Sequence, residues 1–141
     1  MGACFEAFIP YGDVSMGYRR VHTIRRYLMR MFGEDVLEQY VKVMNEAPLA
    51  ETQEETEDAE RRFDELMESL KGEHAFGVRS FVNHSDCDGT FNTEQCEYIA
   101  KALCALTDTD IVQDEEERDF INELADVFRD AYQHDGLVRI W

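Results

Sequence analysis

The chain lacks any apolar run near the 18 or so residues that a membrane-spanning helix needs, so a transmembrane segment is excluded on sequence. It lacks internal repeats, which removes solenoids and arrays. Its four cysteines, Cys4, Cys87, Cys96 and Cys104, form no Cys-x-x-Cys pair, so the usual zinc-ribbon and dithiol patterns are missing. The start, Met1-Gly2-Ala3-Cys4-Phe5-Glu6, has no basic region ahead of an apolar stretch and does not read as a signal peptide. Reduced thiols and a cytoplasmic location are the expectation that follows. Positive charge is scarce: 14 Lys and Arg stand against 31 Asp and Glu, a net charge of −17. So acidic a surface repels phosphate backbones and anionic membranes, and favours cations or basic protein partners.

The acidic excess sits late. Residues 1–45 hold six basic and five acidic side chains, a net +1, and the rest hold 8 and 26, a net −18. Five of the early six are Arg19, Arg20, Arg25, Arg26 and Arg30. They read either as a phosphate patch or, more simply, as partners for the excess carboxylates. At 141 residues and 44% hydrophobic composition, the chain is long and apolar enough for one globular domain spanning 1–141.

The stretch from His84 to Gln95, His-Ser-Asp-Cys-Asp-Gly-Thr-Phe-Asn-Thr-Glu-Gln, carries the most chemistry. An EF-hand-type calcium loop draws oxygens from positions 1, 3, 5, 7, 9 and 12 and turns on a Gly at 6. With Gly89 at position 6, Asp86 falls at 3, Asp88 at 5, the Thr90 carbonyl at 7, Phe91 at the apolar position 8 and Asn92 at 9. The ends depart from the pattern: His84 stands at position 1 in place of Asp, and Gln95 at 12 in place of the bidentate Glu. The exiting helix shows apolar Cys96, Ile99, Ala100 and Leu103 where such a hand needs them. The entering side, with Phe76, Arg79, Ser80 and Asn83, fits at Phe76 alone. The candidate ligands are Asp86, Asp88, Thr90, Asn92 and His84. Losing the bidentate Glu puts calcium affinity at the weak end, about 10⁻⁴–10⁻³ M. The competing reading is a metal-free turn ahead of a capped helix, because Asp and Gly dominate turns anyway. A zinc site from His84, Asp86, Cys87 and Cys96 matches no familiar spacing.

Along the chain, residues 3–9 read as a strand ended by Pro10, with Gly12-Asp13 as a turn. Helical periodicity predicts helices over about 16–32, 34–45 and 56–70, with 49–58 as a solvated loop. The short β-branched run 76–82 predicts a strand. Asn92 and Gln95 make a capping box for a helix ending near Leu106. A long helix follows over about 114–132, with Glu115-Glu116-Glu117 in its first turn, and 137–141 alternates like a strand. The sum is an α+β fold, mostly helical, with about five helices and a small antiparallel sheet in which the first and last segments pair.

The block Asn83–Gly89, with Glu94 and Cys96 in the helix after it and Gly17-Tyr18 ahead of the arginine-rich helix, resembles a group of small bacterial and phage proteins that share an Asn-His-Ser-Asp-Cys-Asp-Gly motif. The resemblance is specific over about 20 residues and implies no activity. Those proteins often carry Glu where this chain has Gln95.

Together these features read as a small acidic, non-enzymatic protein with a degenerate EF-hand-like loop at 84–95 that takes calcium weakly. The alternative is an acidic regulatory protein that binds a basic protein partner.

Overall fold

The computed structural model describes residues 2–7, 12–85 and 89–140. Pro10, Asp86, Cys87, Asp88 and Trp141, and the ends of several predicted segments, lie outside them.

Among the described residues six α-helices account for most of the chain: α1 (Tyr18–Arg30), α2 (Glu34–Glu46), α3 (Gln53–Ser69), α4 (Ala75–Val82), α5 (Thr93–Thr107) and α6 (Glu115–Gln133). A 3-10 turn at Ala47–Leu49 follows α2. Four strands, β1 (Gly2–Ala7), β2 (Gly12–Gly17), β3 (Thr90–Phe91) and β4 (Val138–Ile140), form one antiparallel sheet in the order β2-β1-β4-β3. The fold is α+β and mostly helical, and the first and last segments do pair, Phe5 opposite Ile140 and Ala7 opposite Val138.

Three of the helices begin where a side chain can satisfy an orphan first-turn N–H. Thr52 accepts from the Glu55 amide at 3.1 Å, which starts α3 at Gln53, ahead of the expected 56. Asp114 accepts from the Glu117 amide at 3.1 Å and starts α6. Asn92 and Gln95 exchange the two bonds of a capping box at the head of α5. At the other ends arginines take over. Arg79 donates to the Met67 and Leu70 carbonyls after α3, and Arg118 to the Thr107 and Val112 carbonyls after α5.

Two predicted segments differ. The run 76–82 is helix α4 and not a strand, which raises the helix count to six. Its buried positions are Ala75, Gly77, Val78, Phe81 and Val82, close to helical spacing, whereas alternation would have buried 76, 78, 80 and 82. Gly77 is what lets α4 press against α5: a Cβ there would land on the backbone carbonyl of Tyr98. The second difference is β2, since Gly12–Gly17 is a strand along β1 and not a turn leading into a helix.

The core is one cluster of buried side chains drawn from α1–α6 and the sheet. Its centre is aromatic. Phe5 of β1, Phe81 of α4, Phe91 of β3 and Phe128 of α6 pack with ring centroids 5.2–6.4 Å apart. Helix α5 packs chiefly on α6 and α4, and α6 also covers β1, β2 and β4. Helix α3 sits outermost, resting mainly on α2 and the 3-10 turn. Among the described residues no helix is long and apolar enough to cross a membrane.

Candidate functional site

Helices α4 and α5 flank the loop, so the EF-hand-like stretch lies in a helix–loop–helix. Gly89 has φ 103°, a left-handed turn that suits Gly at the sharp bend. Thr90 and Phe91 then run as β3 against Arg139 and Val138, and the Gly89 carbonyl accepts from the Ile140 amide at 3.0 Å. All four apolar positions of the exiting helix, Cys96, Ile99, Ala100 and Leu103, are buried. The entering helix is present but turned. Phe76 is 37% exposed, and Ala75, Val78 and Val82 are buried one residue away from the positions the register assigns.

The candidate ligands divide. Asp86 and Asp88 lie outside the described residues. His84, Thr90 and Asn92 are described, and all three bond to protein groups. His84 Nε2 lies 2.9 Å from the Thr90 carbonyl oxygen, and Nδ1 lies 2.8 Å from that of Ser85. A neutral ring can donate to one of these carbonyls, and a doubly protonated ring to both. The ring stacks on Phe91 at 3.9 Å between centroids, and a Cβ on Gly89 would come within 3.1 Å of its Cε1. Asn92 Oδ1 accepts from the Gln95 amide at 2.8 Å, and Gln95 Oε1 accepts from the Asn92 amide at 2.9 Å. Gln95, at loop position 12, therefore serves the helix end. Each of these oxygens keeps a second lone pair, yet its orientation is set by the bond already made.

The loop is gripped from two further directions. Arg25 of α1, only 6% exposed, donates from Nη2 to the His84 carbonyl at 2.6 Å. That sets a permanent positive charge against the loop backbone, which opposes a bound cation electrostatically. Thr93 Oγ1 donates to the Gly136 carbonyl at 2.6 Å and ties the head of α5 to the approach to β4. Among the described residues no group of three or more His, Cys, Asp and Glu is arranged to hold a metal ion.

Cys96 is a core residue. It is fully buried, its Sγ faces the Phe91 carbonyl at 3.6 Å, and desolvation pushes its thiol up to about 12. A zinc ligand would have to be the thiolate, which this setting disfavours.

The arginines do not turn to α3. Arg30 pairs with Glu34 of α2 at 3.0 Å, Arg25 holds the loop, and Arg20 lies over the Phe120 ring at 3.7 Å. Helix α3 answers its own charge only in part. Arg61 bridges Asp58 and Glu65, and Arg62 bridges Asp58 and Glu46. Beyond these, Glu54, Glu60, Asp64 and Glu68 are exposed with no partner among the described residues. Between α3 and the 3-10 turn runs a groove edged by Glu46, Glu54, Glu55 and Asp58, with Arg62 the one cation among the described residues of its lining. Leu49 stands in it 74% exposed. Sequence reasoning found the acidic helix but not this groove, because Leu49 follows Pro48 with no periodic pattern to mark it.

No protein-family model matches the chain, and no curated protein and no solved structure is similar to it.

Proposed function

We propose that the chain is a non-enzymatic interaction protein whose helix α3 and the groove beside it receive a Lys/Arg-rich segment of a protein partner. The observation that carries this is Leu49, a large apolar side chain left in solvent in a groove where Glu54 and Glu55 stand beside it and Arg62 pairs with Glu46 and Asp58. An amphipathic basic segment would cover Leu49 with an apolar anchor and answer Glu54 and Glu55 with its charges. Such charges steer encounter and set orientation more than they add affinity, so the apolar contact is needed as well.

The test separates seating from bulk attraction. A labelled peptide of alternating Lys, Arg and Leu is titrated in by fluorescence anisotropy. Leu49→Asp makes the protein more negative, so simple attraction predicts equal or tighter binding. Seating in the groove predicts at least tenfold weaker binding, and a Glu54→Lys, Glu55→Lys pair should weaken it too. If Leu49→Asp binds as well as the parent, the groove is not the site.

A second reading is a weak divalent-cation site in the 84–95 loop. The helix–loop–helix with Gly89 at φ 103° supports it. Calorimetric titration with calcium, magnesium and zinc tests it, and absence of heat at millimolar metal would exclude it.

A further inference from the structure

A separate cleft of about 320 Å³ opens between the first turns of α1 and of α6. Its polar lining is Arg19, Arg20, Thr23, Tyr27 and Glu117, and Phe120 supplies part of an apolar wall. The groups are unevenly satisfied. Arg20 lies over Phe120, its Cζ 3.7 Å from the ring centroid, a cation–π contact that holds the guanidinium against this wall. Its Nη1 is shut off from solvent and has no hydrogen-bond acceptor among the described residues. An unmet N–H shut off from water on a half-buried charged group carries a desolvation cost that native structures rarely leave standing, and it needs an acceptor. At the other end, the Tyr27 hydroxyl donates to the Glu117 carboxylate. Burial and that carboxylate together push Tyr27 up to about 12, so the phenol stays a donor and the pair stays closed. The Glu117 carboxylate that lines the cleft is thus engaged by tyrosine, and among the described residues no carboxylate pairs with the Arg20 guanidinium.

We propose that this cleft binds the phosphate group of a small organic phosphate, with Arg20 as its fixed donor, Arg19 as the second charge at the rim, and Phe120 and Ile24 against the organic part. A planar guanidinium offers paired N–H groups that match the oxygens of a phosphate. The size suits a small ligand. The whole chain at −17 repels anions at long range, so short contacts must supply the affinity. This site is distinct from the α3 groove and does not depend on it.

Inorganic phosphate and phenyl phosphate are titrated into the ¹⁵N-labelled protein in a phosphate-free buffer at constant ionic strength. The expected result is that both shift the amides of Gly17, Arg19, Arg20 and Thr23, with phenyl phosphate several-fold tighter because of the apolar wall. Arg20→Met should abolish those shifts while the fold, read from the rest of the spectrum, is kept. Arg20→Lys should bind at least tenfold more weakly than the parent, since it keeps the charge and loses the fork. Shifts that persist in Arg20→Met, or that fall elsewhere on the chain, would overturn the proposal, as would no shift at all at millimolar phenyl phosphate. Phenyl phosphate binding no tighter than inorganic phosphate would overturn the organic part of the ligand.

Discussion

His84 reaches across the 84–95 loop to Thr90, its Nε2 2.9 Å from the Thr90 carbonyl oxygen. In EF-hand register these are positions 1 and 7, two groups that would normally face one cation from different sides. Here a ring nitrogen meets the carbonyl directly, which leaves no room for an ion between these two groups. The consequence can be measured. His84→Asp removes the ring and its bonds and should cost about 1–2 kcal/mol in EDTA, in line with one or two lost hydrogen bonds. Combined with Gln95→Glu, it restores both end ligands, and Glu can keep the capping box. Calcium affinity of the double variant should rise at least tenfold over the parent by calorimetry. A double variant that ignores calcium would show that the loop is structural in its backbone, not only in its end residues.

Phe91 anchors that loop. It is 1% exposed and meets Phe5, Phe81, Phe128 and the His84 ring. Phe91→Ala should destabilise by about 3–5 kcal/mol in chemical denaturation, as for other buried Phe truncations. The loss should exceed that of His84→Asp. The reverse order would mean that the polar contacts, and not the aromatic packing, hold the loop in place.

Much of this architecture is legible in residue order, and the exceptions have causes. Helices α1, α2, α3, α5 and α6 announce themselves because their apolar residues repeat at three and four, and the Asn92–Gln95 box is readable because both partners are local. Helix α4 hides because eight residues hold too few turns for a period to show, and Val78, Phe81 and Val82 suit a strand equally well. Strand β2 hides because nothing between Gly12 and Gly17 marks it, and it exists through its pairing with β1. The candidate loop is legible as a motif, yet the bond from His84 to Thr90 and the grip of Arg25 come from contacts that spacing cannot show. Arg25 and His84 are 59 residues apart. The phosphate cleft is less legible still, because Arg20 and Phe120 meet only when α1 and α6 do.

Gly77 tests the packing that the misread helix creates. Its missing Cβ admits the Tyr98 carbonyl, and the atom in the way is backbone, not the tip of a flexible side chain. In an exposed helix, Gly→Ala usually stabilises through propensity. Here Gly77→Ala must part α4 from α5 and should instead cost about 2–3 kcal/mol or more, as overpacking does. Thermal denaturation of this one variant decides the sign. A rise in melting temperature would mean that α4 and α5 lie farther apart than this packing requires.

Cys96 supplies the pH test. Burial raises its thiol from an ordinary 9.0 to about 12 in the folded chain. Below pH 9 both folded and unfolded chains keep the proton, and stability does not depend on this group. Between about 9 and 12 the unfolded chain gives up the proton while the folded chain retains it. The unfolded state then binds fewer protons, so stability falls as pH rises through that window. Other groups titrate there too, so the comparison is with Cys96→Ala. The difference in stability between parent and variant should be flat from neutral pH to about 9 and shrink steadily above it. Alkylation near neutral pH should be much slower at Cys96 than at half-buried Cys4 and Cys104, because the thiolate is the reacting form and Cys96 must unfold to supply it. Rapid alkylation of folded Cys96, or a difference that stays flat through the alkaline range, would mean that α5 does not seal this thiol from water.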